Sequence, residues 1–359
     1  MSEDRLDFAI SEHLGEAAHP GGFDAALSQI IDANKSMLPK LDRAGQRAQH
    51  PKAHATLNAI FTIREVPASC RVGLFATAGA QHNCLIRFSN SNQLIDNPKG
   101  GDAHGMAIKV LDVEGKKFQP DPSGANSHDF ILLNNETFFD GDLKRYLKLN
   151  VVAGDYLSLV RNGRPVFRGL ASGLKAVMFT KFTDPKLGRA ITQTSDQFPV
   201  SPLLETFFST TPYLLGPDIA VKYKVTPKLP EDTTTSQSRP GPDENFLNKQ
   251  IRTALLDRDH DFVLSAQIKT SRDPYPIETP DVPWTGAAEI PLADIHIPQF
   301  KSLSDLEWQA MRFGHEAQSY NIWNVTSDHR PLGVLNRLRR GVYRELHRCR
   351  THQDGDVYK

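Results

Sequence analysis

Between residues 53 and 63 the chain places Ala53, Ala55, Leu57, Ala59, Phe61 and Ile63 at odd positions and His54, Thr56, Asn58 and Thr62 at even ones. A period of two predicts a β-strand with one apolar face. Shorter runs at 71–76, 85–90, 106–113 and 129–133 read as further strands, separated by turn-rich segments at 96–102 and 120–124. Short strands at such spacing predict an antiparallel sheet or barrel. A helical stretch with breaks follows over 142–181, then strands at 219–225 and 261–269, and helices at 303–313 and 334–350. Residues 228–243, rich in Pro and Thr, read as an exposed excursion. The first 46 residues read as short helices broken at 19–22, with a longer one over 24–41 predicted to wrap the core. The expected class is α+β.

Composition narrows the function. The 359 residues carry 42 basic and 42 acidic side chains, so no global field draws in nucleic acid or an anionic membrane. A small-molecule substrate fits better. The N-terminus lacks a basic start followed by an apolar run, and no stretch approaches the ~20 apolar residues of a membrane span. A soluble, cytoplasmic protein without an integral membrane span is therefore expected. Cys70, Cys84 and Cys349 are too scattered for a zinc site or a disulfide framework.

The last helix is the most informative stretch. Arg339, Tyr343 and Arg350 are spaced by 4 and 7 residues, so at 3.6 residues per turn all three project within roughly 40° of one another. A nearby cation favours the charged form of a phenol, which makes Tyr343 a candidate axial ligand to a haem iron. The same pattern also suits a phenol packed at the edge of the apolar stripe Leu335, Leu338, Val342 and Leu346, or a basic helix that faces an anion.

Three further segments bear on that choice. The first is Arg47-Ala-Gln-His50. The second is Arg87-Phe-Ser89, followed by Gly101-Asp-Ala-His-Gly-Met106. The third is Asp129-Phe-Ile-Leu-Leu-Asn134 with Phe138 and Phe139 shortly after. Each alone is commonplace. Taken in this order with the Arg339, Tyr343, Arg350 helix, they resemble the haem catalase superfamily over most of the chain from about residue 45 to 350.

The resemblance implies an antiparallel eight-stranded β-barrel with surrounding helices, and haem b between the barrel and the C-terminal helix. Tyr343 would be the iron ligand, as tyrosine is in catalase haem, with Arg339 holding its oxygen ionised. His50 would be the distal base, Ser89 would orient its ring, and Asn134 would donate to the bound peroxide. Arg47, Arg87 and Arg350 would pair with the haem propionates, and Phe138 or Phe139 would line the distal side. The chemistry agrees, because a neutral His can take a proton from one peroxide oxygen and return it to the other, while an amide stabilises charge without titrating. Among the rivals, His54 could be the base in place of His50, and Tyr213, Tyr223 and Tyr358 are alternative phenols. His104 and His128 read as loop histidines.

Two departures set the chain apart from full catalases. It is considerably shorter, which implies a shorter and wider path to the haem. It also carries Gln49 beside the distal His, where the family has a small aliphatic residue and allene oxide synthases have Thr. Both point to the compact catalase-related peroxidases and hydroperoxide-converting enzymes, with organic or fatty-acid hydroperoxides or hydrogen peroxide as substrate and an external small-molecule electron donor. Hydrogen peroxide dismutation is the nearest alternative, and a non-enzymatic haem carrier or sensor is the second. The expected layout is a helical arm at 1–45, one haem domain at 46–352 and a tail at 353–359. A homo-oligomer is expected and no bound NADPH, since no nucleotide-binding motif is seen.

Overall fold

Strand β1, Lys52–Ile63, shows how the predicted alternation is used. Ala55, Leu57, Ala59, Phe61 and Ile63 point into one large apolar cluster, while Asn58 is exposed. The computed structural model describes residues 11–17, 23–37, 47–91, 103–118, 126–148, 150, 201–229, 245–313, 315–316 and 318–351. Its other strands are β2 (Gln81–Asn90), β3 (His104–Leu111), β4 (Ser127–Leu133), β5 (Phe207–Phe208), β6 (Tyr213–Leu214), β7 (Ala220–Pro227), β8 (His260–Lys269) and β9 (Glu289–Ile297). Each pairs antiparallel with its neighbours in the order β5-β4-β3-β2-β1-β9-β8-β7, and β5 pairs back to β7. Eight strands thus close into a barrel, with β6 attached to the outside of β7. Closure removes the unpaired edges an open sheet would expose.

Inward residues fill the barrel: Ile86 and Phe88 from β2, Met106, Ile108 and Val110 from β3, Phe130 and Leu132 from β4, and Phe262 and Leu264 from β8. Each large apolar side chain buried in this way contributes about 1.5–3 kcal/mol. The outward residues of β1 to β4 are therefore the ones left to build a site.

The structure corrects several expectations. Residues 71–76 are not a strand: they hold a 3-10 turn, Gly73–Phe75, just after another at Ala68–Cys70. Gly73 has φ 49°, and a Cβ there would lie 2.5 Å from Thr326 Oγ1 and 2.6 Å from His329 Nε2. His104 and His128 are not in loops; they are buried on β3 and β4. Strand β9 was not predicted because Pro291 interrupts its pattern. The chain accommodates the proline with a register shift at Leu264/Ser265 opposite it, beyond the point where β1 pairs with β9.

Four helices complete the description: α1 (Phe23–Met37), α2 (Phe246–Asp257), α3 (Asp305–Phe313) and α4 (Val334–Thr351). Helices α1 and α4 pack through Ala26, Ile30, Leu338 and Val342. Gly341 lets them approach closely, since a Cβ there would lie 2.7 Å from Leu27 Cδ1. Residues 143–148 are helical as expected, whereas most of the predicted helical stretch to 181 and most of the 228–243 excursion lie outside the described residues. No described helix is long and apolar enough to cross a membrane.

Candidate functional site

His50 ends the loop before β1 with φ 49°, in the left-handed region that a non-glycine residue adopts only when its surroundings hold it there. Three contacts do so. Arg87 Nη2 donates to the His50 carbonyl at 3.1 Å, Ser89 Oγ lies 3.3 Å from His50 Nδ1, and the ring packs on Gly105, where a Cβ would lie 2.8 Å from Nδ1. Ser89 and Gly105 are register partners on β2 and β3. Burial, aided by the charges of Arg87 and His104, lowers the His50 pKa to about 3, so its imidazole is neutral at pH 7.

His54 sits at an irregularity of β1. Ala53 lies opposite Ser89 and Ala55 opposite Phe88, which leaves His54 as the extra residue of a β-bulge. Its ring lies 6.2 Å from that of His104. Gln49 also differs from expectation: its amide donates to Asn34 Oδ1 on α1 at 3.0 Å and its side chain is exposed.

Asn134 follows β4 directly. Its Oδ1 accepts from the His104 N–H at 2.9 Å, and its Nδ2 donates to Glu205 Oε2 at 2.6 Å. The other oxygen of Glu205 lies 2.6 Å from His104 Nδ1. Neither Glu205 nor His104 was singled out in the sequence as part of the site.

Arg47 and Arg87 converge on Glu316. Arg87 Nε donates to Oε1 at 2.8 Å, and Arg47 Nε lies 3.7 Å from Oε2. Arg47 also donates to the Gln318 carbonyl at 2.7 Å and stacks over the ring of Tyr320 at 5.4 Å. The Tyr320 hydroxyl is buried and has no hydrogen-bond partner among the described residues.

Tyr343 and Arg339 form a second group on α4. Arg339 Nη2 donates to Tyr343 Oη at 3.2 Å, while Nη1 faces Asn336 Oδ1 at 3.1 Å and Thr211 Oγ1 at 3.3 Å. No carboxylate among the described residues forms an ion pair with Arg339. Burial pulls the guanidinium pKa down, but Tyr343, Tyr213 and Tyr146 around it outweigh burial and hold it charged. Phe138 stacks under Arg339 at 5.6 Å and against Tyr146 at 5.3 Å. Phe139 touches Phe138, with ring centres 5.4 Å apart. The rival phenols Tyr213 and Tyr223 are pushed up by burial, Tyr213 to about 12, and Tyr223 lies against His329 at 3.2 Å. Arg350 lies on α4, but its side chain, like the whole of Tyr358, is outside the described residues.

Solved structures similar to this one decide the architecture. A fungal catalase matches with a TM-score of 0.56 and 14% identity, over 88% of this chain and 61% of that one. Catalase A from Saccharomyces cerevisiae matches with a TM-score of 0.57 and 15% identity, over 87% and 63%. The chain has the catalase fold. A bacterial catalase agrees, with a TM-score of 0.54 and 13% identity over 88% and 57%. The chain spans about six-tenths of the length of these catalases. No family model and no curated protein matches it.

A haem fits what this catalase fold presents. Among the described residues no cluster of three or more His, Cys, Asp or Glu could hold a bare metal ion, and the Tyr343 hydroxyl backed by Arg339 is a donor set of the kind a haem iron takes. Arg47 and Arg87 are suited to a carboxylate and already engage that of Glu316, so a haem propionate would share or take its place.

Proposed function

We propose that this protein is a haem-dependent peroxidase of the catalase-related kind, which cleaves the O–O bond of organic hydroperoxides, fatty-acid hydroperoxides among them, or of hydrogen peroxide. The observation that carries the reading is the pair on α4, a tyrosine hydroxyl held by a buried guanidinium that no described carboxylate neutralises. Tyrosine is the haem ligand of catalase, and Arg339 donates to the oxygen that would meet the iron. Haem b, when bound, supplies the redox chemistry.

Around it the chain's own residues do the rest. Tyr343 would hold the iron, with Arg339 donating to the phenol oxygen. Arg47, Arg87 and Arg350 would receive the propionates, the first two in place of or alongside Glu316. His50, neutral at pH 7, takes the proton of the incoming peroxide and returns one to the leaving oxygen. Ser89 fixes which way its ring faces. Asn134 offers an N–H to the charge that develops on the oxygens. Reduction of a hydroperoxide to an alcohol and water needs two electrons and two protons, so an external small-molecule donor is part of the reading. We also propose a homo-oligomer in the cytoplasm.

Dismutation of hydrogen peroxide is the second reading, and one observation favours it. Gln49, the residue that argued against it, spends its amide on Asn34 of α1. The test is oxygen evolution from haem-loaded protein on an oxygen electrode, run beside consumption of cumene hydroperoxide with a phenolic donor. Donor-dependent hydroperoxide loss with little oxygen supports the peroxidase. Sustained oxygen release supports a minimal catalase, and haem binding without either reaction would leave a haem carrier or sensor.

A further inference from the structure

The amide of Asn134 is oriented by a carboxylate that the peroxidase reading does not use. Asn134 Oδ1 faces the His104 N–H at 2.9 Å and Nδ2 faces Glu205 Oε2 at 2.6 Å. Amide oxygen and nitrogen are ordinarily interchangeable by a flip. Here a flip would set oxygen against the carboxylate and the NH2 group against a backbone N–H, two repulsive contacts at once. One N–H of the amide is taken by Glu205, and one remains to donate.

The position of this amide follows from the strand register. Gly105, on which the His50 ring packs, pairs with Ser89 on one side and with Leu133 on the other, and Asn134 is the next residue. The Asn134 N–H donates to the His104 carbonyl at 3.1 Å, which ties the two backbones together. Glu205 is fixed from behind. It ends the 3-10 turn Pro202–Leu204, whose start is capped by Ser201 and whose Leu203 is buried in the large apolar cluster.

We infer that Glu205 is a positioning residue for the proposed peroxide reaction, locking Asn134 so that the amide can present only a donor to a peroxide oxygen. The inference rests on the peroxidase reading. A purely structural Glu205, tethering His104 to the barrel, would stabilise the fold without affecting ligands bound near His50.

Three variants in haem-loaded protein separate these cases: Glu205→Gln, Asn134→Ala and the double variant. The probe is cyanide, followed by its dissociation constant in the visible spectrum and by its infrared stretch, which shifts when a donor is lost. Glu205→Gln should weaken cyanide binding, move the stretch to the value seen in Asn134→Ala, and lower kcat for peroxide by about tenfold to a hundredfold with KM little changed. The double variant should be no worse than Asn134→Ala, as expected for residues acting as one unit. Wild-type stretch and kcat in Glu205→Gln, or an Asn134→Ala variant indistinguishable from wild type, would overturn the inference. If Glu205→Gln does not fold, Glu205→Asp keeps the charge with a shorter reach and is expected to give the same outcome. Wild-type protein that takes up no haem would instead bring down the peroxidase reading, and this inference with it.

Discussion

Replacing Glu16 by alanine should destabilise the protein through the helix that carries Tyr343. Glu16 is 2% exposed, and its carboxylate binds two buried guanidinium groups, Arg330 at 2.6 Å and Arg337. It also accepts the Gly333 N–H at 3.0 Å, just ahead of α4. Burial alone would raise its pKa, but the charge of Arg330 and hydrogen bonds from Arg330, Ser11 and the Gly333 N–H outweigh burial and hold it below the usual carboxylate value. Removing one partner of a buried ion pair costs about 3–5 kcal/mol, because the other charge stays behind. That is a large part of the ~5–15 kcal/mol by which domains are stable. Urea unfolding followed by the fluorescence of the buried Trp284, Trp308 and Trp323 should show the midpoint falling with an unchanged slope. Because the folded-state pKa is lowered, this stabilisation is present above the ordinary carboxylate pKa and is lost as pH falls through the folded value. The gap between variant and wild type should therefore narrow in strong acid. A difference below about 1 kcal/mol at pH 7 would refute the assignment of Glu16 as the clamp.

Tyr343→Phe should abolish or alter the haem absorption spectrum, and an unchanged spectrum would remove Tyr343 as the iron ligand. Gly105→Ala adds a Cβ that would lie 2.8 Å from His50 Nδ1 and 3.0 Å from Ser89 Oγ. It should cost about 1–3 kcal/mol of stability and slow the peroxide reaction with haem retained; wild-type kinetics would mean that the His50 ring need not sit there. Burial depresses the pKa of several histidines, among them His50 to about 3, His329 to about 4, and His54 and His128 well below 6.5. Their contribution is complete above the unfolded pKa near 6.5 and is lost as pH falls through the folded values. Each contributes a slope of about 1.4 kcal/mol per pH unit in that window, so circular dichroism should show cooperative unfolding on mild acidification, and a chain still folded well below pH 4 would contradict this.

What could be read in the sequence depended on how local the cause was. The alternation of β1 was legible from Ala53 to Ile63, although its first half is buried on both sides, where Arg312 of α3 and Asn248 of α2 reach the Ala53 and His54 carbonyls. A bulge carries no period, so the register shift at His54 was hidden. The pair Arg339 and Tyr343 was legible because helical spacing brings residues four apart together. Glu205, Glu316 and Glu16 were not, since the contacts that define them join residues 101, 229 and 314 positions apart. Gly341 did leave a signal: a glycine inside a helix costs about 1 kcal/mol and asks for a reason such as the close approach of Leu27.

Helix α1 touches both halves of the candidate site. Leu27 meets Gly341 on the helix of Tyr343, and Asn34 holds Gln49 beside His50. Those two contacts are seven residues apart, two turns and about 10 Å along a rigid rod. The helix therefore works as a gauge block: it fixes the span between the phenol's helix and the imidazole's loop by its own pitch. Lengthening or shortening that rod by a turn would change the clearance available to any planar group between them, without altering a single residue that touches it.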